Sequence, residues 1–190
     1  MRSVANLTNT CSNMNENLVS ATGSTLLIID DRPHNLLLLS TLLIKQGYQV
    51  RKALSGAAAI RTVAAQMPDL ILLNMHLRDM SGYQVCGALK TNPEACSIPI
   101  IFMDVPNQFH EVVKVFSIGG ADYITKPLKV EEILVRIYHQ LTIKKLQTQL
   151  EEKDAKLKQE ILARKRAEYS LKKLNRYCSG SEVILKRGQV

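Results

Sequence analysis

Short apolar runs alternate with helix-forming stretches between residues 25 and 141, and this alternation constrains the fold more than any other feature of the chain. The run at 70–73 is continuous, with no polar residue between its apolar ones, which is typical of a parallel strand covered on both faces. Strands that alternate with helices form β-α units around a parallel sheet. The pattern predicts an α/β fold with five such units.

The boundaries of the predicted elements follow from the ends of the apolar runs and from helix breakers. Pro33 is a favourable first residue for a helix, and Gly47 ends the same helix. The predicted strands are 26–29, 48–52, 70–73, 98–103 and 123–124. The predicted helices are 33–46, 57–67, 82–89, 109–118 and one that starts near residue 130.

The last predicted helix contains no breaker before residues 178–180, so it extends beyond what one small domain can cover. Its apolar residues recur at spacings of three, four or seven, which is typical of a coiled coil, with a stutter near 157–161. They are Ile143, Leu146, Leu150, Leu157, Ile161, Ala167, Leu171 and Leu174. The alternative is a single solvated helix stabilised by i,i+4 charge pairs, because Lys153 and Arg164 interrupt the apolar pattern.

Four segments follow from this organisation: a disordered polar leader at 1–24, an α/β domain at 25–141, a basic helix at 142–178 and a flexible tail at 179–190. Residues 141–190 hold 13 Lys and Arg against 6 Asp and Glu, whereas residues 1–140 hold 12 against 11. The excess positive charge therefore lies in the helix. Because acids are interleaved with the bases and no compact basic block exists, specific nucleic-acid binding is not expected.

The cysteines and the apolar segments restrict the compartment. The four cysteines lie far apart and lack metal-ligand or disulfide spacing. No apolar run approaches the roughly 18 residues that cross a bilayer, and the N-terminal region lacks the apolar segment of a signal peptide. The sequence predicts a cytoplasmic protein that does not insert into membranes.

Polar side chains follow four of the predicted strands at their carboxyl ends. In an open parallel sheet these ends face one crevice, where functional groups gather. A single polar residue after a strand is usually turn chemistry, but four positions at one edge indicate a site. The residues are Asp30, Asp31, Asn74, Asp104 and Lys126.

Four stretches that include these residues are LLIIDDRPHNLLLL, PDLILLNMHLRDMSGYQVC, IPIIFMDV and GADYITKPL. Together they make residues 25–141 resemble the receiver domain of two-component response regulators. The resemblance implies a flavodoxin-like five-stranded parallel sheet in the order 2-1-3-4-5. It also implies an acidic pair that binds Mg²⁺, an acceptor aspartate, a Thr or Ser after the fourth strand, and a lysine that contacts the phosphoryl group.

The acidic pair and the lysine of that family are retained here as Asp30, Asp31 and Lys126. With the amide oxygen of Asn74, the two carboxylates could still supply hard oxygen ligands to Mg²⁺. Because one carboxylate is missing, weak or vestigial Mg²⁺ binding is expected, and no cofactor is required. The alternative is that Asp30 and Asp31 serve only as a strand-end turn and helix cap.

Three positions depart from the family pattern. Asn74 occupies the acceptor position, Asp104 the Thr or Ser position, and Arg78 the position of a proline. Acyl-phosphate formation needs a carboxylate nucleophile, and an amide is neutral and far less nucleophilic. A carboxylate at residue 104 would also repel an incoming phosphate dianion. The sequence therefore predicts a degenerate, non-enzymatic receiver that signals without phosphorylation.

A fixed charge pair could replace the missing phosphate. Asp104 and Lys126 lie near each other in the implied fold, and no phosphate is available to pair with the lysine. Such a pair is expected to hold the loop after the fourth strand in one state. Tyr123, at the aromatic switch position of the family, would follow that state inward or outward.

Partner contact is the expected function of a receiver without phosphate chemistry. The resemblance implies a contact face built from the fourth helix, the fifth strand and the fifth helix, which here includes Lys114, Asp122, Tyr123, Glu132 and Arg136. The expected partner is a protein, either a kinase or an output protein. A homodimer held by the helical extension would bring two such faces together.

The segment QEILARKRAEYSLKKLN is also similar to the helical connectors that follow receivers in bacterial hybrid sensor proteins, especially cyanobacterial ones. Since few residues follow it, the chain is expected to be a free-standing receiver or a truncated relative of a larger protein. Two other functions remain open. The chain could be a phosphorelay receiver that uses Asp79 or Asp31 as acceptor, or a nucleic-acid-associated regulator that uses the basic helix.

Overall fold

The structure, a computed structural model, describes residues 23–103, 108–125 and 127–187, with side chains described as far as residue 173. Within these residues the chain forms five strands and five helices in strict alternation. The strands are β1 (Thr25–Ile29), β2 (Gln49–Ala53), β3 (Leu70–Asn74), β4 (Ile100–Met103) and β5 (Asp122–Ile124). The helices are α1 (Pro33–Lys45), α2 (Gly56–Ala65), α3 (Gly82–Lys90), α4 (Phe109–Ser117) and α5 (Val130–Arg187).

The five strands form one parallel sheet in the order β2-β1-β3-β4-β5, which confirms the predicted fold and strand order. Strand β1 lies between β2 and β3. Its residue Leu26 is in register with Val50 on one side and with Leu70 on the other. This arrangement aligns the carboxyl ends of β1, β3 and β4 at one edge of the sheet.

The continuous apolar runs are explained by two cores, one on each face of the sheet. Successive strand residues point to opposite faces, so every residue of a strand covered on both sides must be apolar. One core contains Leu27, Ile71 and Phe102 with the buried residues of α2 and α3. The other contains the intervening strand residues with buried residues of α1 and of the first turns of α5.

Local sequence sets the helix boundaries. The Ser55 hydroxyl accepts the N–H of Ala58 at the start of α2, and Ser81 forms a capping box with Gln84 at the start of α3. Helix α1 begins at Pro33 and is followed by Gly47 with a φ of 87°, a conformation that favours glycine. The predicted boundaries agree with the observed ones to within about two residues for most elements.

Helix α5 extends to Arg187, so the predicted helix end at residue 178 and the predicted flexible tail do not hold for residues 179–187. The glycine at residue 180 disfavours helix by only about 1 kcal/mol, which a long helix tolerates. The predicted disordered leader lies outside the described residues except for residues 23–24. The chain divides into two units, Met1–Lys144 and Lys145–Val190, close to the predicted boundary at 141. None of the helices in the described ranges has the length and apolar character that a membrane crossing requires.

Candidate functional site

The carboxyl ends of β1 and β3 bring Asp30 and Asn74 to the same edge of the sheet. The two strands pair in parallel with Ile29 opposite Leu73, so the next residue of each strand is also adjacent. Asp30 and Asn74 are the only charged or amide residues in the buried class among those the structure describes. Buried polar side chains need hydrogen-bond partners, and the partners of these two show how the site is organised.

Both carboxylate oxygens of Asp30 accept hydrogen bonds from the segment that follows β1. The backbone N–H of Arg32 donates to Oδ1 at 2.8 Å, and the side-chain amide of Asn35 donates to Oδ2 at 2.9 Å. These bonds close the turn between β1 and α1. They give Asp30 the structural role of a strand-end turn residue, which the sequence left open as an alternative.

The carboxylate of Asp31 is paired with an arginine from a different loop. The Nε atom of Arg78 lies 3.2 Å from Oδ2 of Asp31. The Asp31 side chain is 14% exposed, and the Arg78 side chain is 83% exposed. Sequence reasoning identified Arg78 only as a departure from the family pattern and did not predict this pair.

The loop between β3 and α3 packs closely against Asn74. The Oδ1 atom of Asn74 accepts the backbone N–H of His76 at 3.3 Å. Farther along the loop, the N–H of Gly82 donates to the carbonyl of Met75 at 2.8 Å. A Cβ atom at residue 82 would lie 2.8 Å from the carbonyl oxygen of Asn74, so this position requires glycine.

The carboxylate of Asp79, which belongs to the same loop, caps the N-terminus of α2. Its Oδ1 accepts the N–H of Gly56 at 3.0 Å, and its Oδ2 accepts the N–H of Ala57 at 3.0 Å. The hydrogen bonds from Ala57 and Gly56 lower the pKa of Asp79 below its usual value. Local sequence gave no signal for this contact, since the cap lies 23 residues from the helix start that it serves.

Protein groups already contact the residues that the family resemblance implies for a Mg²⁺ site. Both oxygens of Asp30 are engaged by protein donors, Asp31 is paired with a guanidinium, and Asn74 carries no charge. Within the described ranges, no group of three or more His, Cys, Asp or Glu side chains is arranged to hold a metal ion. Weak Mg²⁺ binding stays a prediction.

The predicted Asp104–Lys126 pair lies outside the described residues, since both positions fall in the gaps of the structure. The aromatic switch candidate Tyr123 is described. Its ring meets the ring of Phe116 edge to face, with centroids 6.0 Å apart. The guanidinium of Arg136 lies 5.7 Å from the centroid of the Tyr123 ring, which is within the range of a cation–π contact.

Three residues of the predicted partner face form one network of ion pairs. Arg136 donates to Oδ1 of Asp122 at 2.6 Å and to Oε1 of Glu132 at 3.0 Å. Lys114 does not belong to this network. Its ammonium lies 4.0 Å from the centroid of the Tyr83 ring on α3.

Tyr83 also links α3 to the start of α4, a contact that the sequence did not indicate. Its hydroxyl donates a hydrogen bond to the Glu111 carboxylate. Burial, together with this carboxylate, raises the pKa of Tyr83 to about 12, and the hydrogen bond lowers the pKa of Glu111. Helix α4 is therefore held against α3 by Glu111 and Lys114, which both contact the same tyrosine.

The sheet order, the helices on both faces and the acidic turn after β1 define a flavodoxin-like α/β domain. The family model of the response regulator receiver domain matches residues 26–138. The chain therefore belongs to the response regulator receiver domain family, and it is the receiver domain of a two-component system.

Curated relatives include proteins much longer than the region they share with this chain. The chain is 33% identical over 140 residues to a probable cyclic di-GMP phosphodiesterase from Vibrio cholerae, a match that covers 74% of this chain and 32% of the relative. It is 38% identical over 111 residues to the transcriptional regulatory protein KdpE from Mycobacterium tuberculosis, covering 58% of this chain and 48% of the relative. The chain thus spans half or less of the length of these two relatives.

Solved structures of receivers superpose on the same region. A putative response regulator from Chloroflexus aurantiacus is 28% identical with a TM-score of 0.61, covering 64% of this chain and 99% of that protein. The signal receiver domain of a histidine kinase from Syntrophus aciditrophicus is 30% identical with a TM-score of 0.59, covering 63% and 91%.

Proposed function

We propose that this receiver signals through protein contacts without being phosphorylated at residue 74, and that it forms a homodimer through the stalk, defined as residues 145–187 of α5. The observation that carries the first part is Asn74 itself. The side chain that ends β3 at the sheet edge is an amide, it is buried, and it accepts a hydrogen bond from the loop that follows.

An amide at this position removes the chemistry of a phosphate acceptor. Its oxygen carries no formal charge, and attack on a phosphoryl group requires a nucleophile of higher electron density. Burial does not restore this reactivity, because it leaves the amide neutral. The same side chain still fits the turn geometry, since its Oδ1 serves as a hydrogen-bond acceptor for the N–H of His76.

The neighbouring carboxylates are already engaged. Asp79 holds the first two amides of α2, and Asp31 is paired with Arg78. An attacking carboxylate would have to leave these partners and would also start from the wrong position for in-line displacement. These contacts argue against the alternative in which a neighbouring aspartate takes the phosphate.

Incubation with acetyl phosphate and Mg²⁺, followed by intact-mass analysis, tests the proposal. The wild-type chain is expected to keep its mass, while a receiver with an acceptor aspartate in the same tube gains a phosphoryl group. The variants Asp79→Ala and Asp31→Asn serve as matched controls. A phosphorylated wild-type chain whose modification disappears in either variant would overturn the proposal.

The stalk supports the dimer because its apolar side chains are uncovered. Five of them are 46–61% exposed in the single chain and recur at coiled-coil spacings: Leu146, Leu150, Leu157, Ile161 and Leu171. Pairing two stalks would bury this stripe. It would also raise the effective concentration of two receivers for each other without any new contact between them.

Sedimentation equilibrium of Leu157→Glu tests the dimer. We expect the wild-type chain to be dimeric and the variant to dissociate at least about tenfold more readily, because a charge at a buried core position is costly. Ala155→Glu is the control, since it adds the same charge about 200° around the helix from Leu157. A wild-type chain that remains monomeric at high concentration would contradict the dimer.

The remaining features of the proposal concern partners and location. The partner would be a protein, either a kinase or an output protein, met in the cytoplasm, and the chain itself would catalyse no reaction and need no cofactor. A nucleic-acid role for the basic helix is not favoured, because acidic residues interrupt its basic residues throughout.

A further inference from the structure

We infer that Arg78 is the permanent counter-cation of the acidic edge of the sheet and makes this receiver independent of a divalent cation. The observation is the ion pair between Nε of Arg78 and Oδ2 of Asp31 at 3.2 Å. Asp31 lies next to Asp30 in the turn after β1, its side chain is 14% exposed, and the guanidinium compensates its charge.

The loop that carries Arg78 is anchored on both sides of the residue. An isolated antiparallel bridge between His76 and Ser81 closes the loop across Arg78, and the N–H of Gly82 donates to the carbonyl of Met75. The residue after Arg78, Asp79, accepts hydrogen bonds from the first two backbone N–H groups of α2. The backbone at residue 78 is therefore held in place, which reduces the entropy lost when the long side chain pairs with Asp31.

Arg78 neutralises one of the two negative charges of the acidic pair without a metal ion. Asp31 is mostly withdrawn from water, and a carboxylate in this environment is stabilised by a nearby cation. Asp30 and Asp31 contribute two negative charges, Arg78 contributes one positive charge, and Asn74 contributes none. A divalent cation would have to displace the guanidinium or bind beside it, and both routes weaken its binding.

This inference deepens one part of the proposed function, that no cofactor is needed, and it does not depend on the missing phosphate acceptor. A receiver without an acceptor aspartate could still bind Mg²⁺, and a receiver with a blocked metal site could still be phosphorylated weakly. The two ideas therefore fail in different experiments, one in mass analysis and the other in metal titration.

Metal titration of four proteins tests the inference: the wild type, Arg78→Ala, Arg78→Lys and the control Arg61→Ala. Arg61 is an exposed arginine on α2, so its removal changes the net charge equally. Thermal unfolding is followed at increasing MgCl₂, and binding is measured by isothermal titration calorimetry. NaCl at matched ionic strength corrects for screening.

We expect Tm of the wild type, of Arg78→Lys and of Arg61→Ala to be unaffected by Mg²⁺ up to about 10 mM, and Tm of Arg78→Ala to rise with concentration. Calorimetry should show Mg²⁺ binding to Arg78→Ala that is at least about tenfold tighter than to the wild type. The lysine variant distinguishes charge from packing, because it keeps the cation and loses the fork of the guanidinium.

Two outcomes would overturn the inference. Equal Mg²⁺ affinity of the wild type and Arg78→Ala would show that the guanidinium does not compete with the metal. Absence of any Mg²⁺ response in Arg78→Ala would show that something other than Arg78 excludes it. Arg78→Gln, which retains most of the side-chain stem, gives a second reading of both results if the alanine variant folds poorly.

Discussion

The receiver and the stalk use apolar side chains in opposite ways. In the receiver, β4 is apolar at every residue and β3 at every residue except Asn74, and all of these side chains are buried within the chain. In the stalk, apolar residues come once or twice per turn, and those that the structure describes leave about half of their surface exposed. The receiver completes its core by itself, whereas in the proposed dimer the stalk would complete one with the stalk of a second chain.

This difference separates two kinds of specificity. A sheet covered on both faces fixes a unique fold, because each residue has its place in one of two cores. An exposed helical stripe fixes a mode of association instead, because its free energy is realised only on pairing. Substitutions in the receiver should therefore alter folding, and substitutions in the stalk should alter assembly.

The largest expected effect comes from removing a buried aromatic ring of the receiver. An exposed aromatic ring of the stalk serves as the comparison. Phe102→Ala in β4 should lower the free energy of unfolding by about 3–5 kcal/mol, because Phe102 is fully buried. Tyr169→Ala in the stalk, where the ring is 72% exposed, should change it by less than about 0.5 kcal/mol. Urea unfolding of the receiver, followed by circular dichroism, measures both. Equal losses would break the comparison between the two regions.

A smaller loss is expected at Gly82, where the receiver backbone packs closely. Gly82→Ala should cost about 1–3 kcal/mol, because the new Cβ would lie 2.8 Å from the carbonyl oxygen of Asn74 and 3.0 Å from Cα of Met75. Gly87→Ala, in the same helix α3, is the control, since its added Cβ has no atom within 4 Å. Gly87→Ala should be neutral or slightly stabilising because alanine favours helix. If both variants lost a similar amount of stability, the close approach at residue 82 would not be the cause of the loss.

A loss of about 1 kcal/mol is expected from Asp79→Ala, which removes the cap of α2. The direction in which this stabilisation changes with pH follows from the lowered pKa of Asp79. Its stabilisation is present above the unfolded-state pKa of about 3.9 and is lost as the pH falls through the lower folded-state value. Urea unfolding of the wild type and of Asp79→Ala between pH 3 and pH 7 measures this pH dependence. Asp154→Ala, at an exposed residue of the stalk, is the control. A difference between wild type and Asp79→Ala that stays constant down to pH 3 would exclude the carboxylate as its source.

The smallest expected effect is that of Tyr83→Phe, about 0.5–1.5 kcal/mol at neutral pH, because only the hydroxyl is removed. The pKa of Tyr83 is raised to about 12, so its stabilisation is present below pH 10 and is lost as the pH rises toward 12. Between pH 8 and pH 11, the free energy of unfolding should fall as the pH rises in the wild type and in the exposed control Tyr169→Phe. Tyr83→Phe should show a weaker pH dependence, because Tyr48 and Cys86, whose pKa values are also raised by burial, still contribute. The same slope in all three proteins would contradict the tyrosine–carboxylate contact.

Regular periodicity in the sequence was sufficient to predict the α/β class and the edge at which the site lies, whereas the strand order was implied by the resemblance to receivers. Apolar runs without polar alternation identified the strands, and the parallel arrangement placed Asp30 and Asn74 side by side. These inferences need only the direction and order of the strands, which do not depend on the rotamer of any single side chain.

The contacts inside the site could not be predicted in the same way. The bond from Asp79 to Gly56 and Ala57, and the pair between Arg78 and Asp31, depend on the path of one irregular loop. Loop backbones have no repeating pattern from which a side-chain direction follows. Arg78 was visible in the sequence only as an unusual residue, and the structure supplies the partner that gives it a role.

The central position of β1 has a consequence for the nascent chain. Leu26 emerges from the ribosome early, but its second neighbour, Leu70, is made 44 residues later, because 70 − 26 = 44. Until then one edge of β1 lacks its hydrogen-bonding partner, and the receiver cannot reach its native topology. Pairings of such high sequence separation fold slowly, and unpaired apolar edges invite association with other chains. Until β3 is synthesised, this unpaired edge of β1 is therefore a place where the nascent chain is prone to associate with other chains.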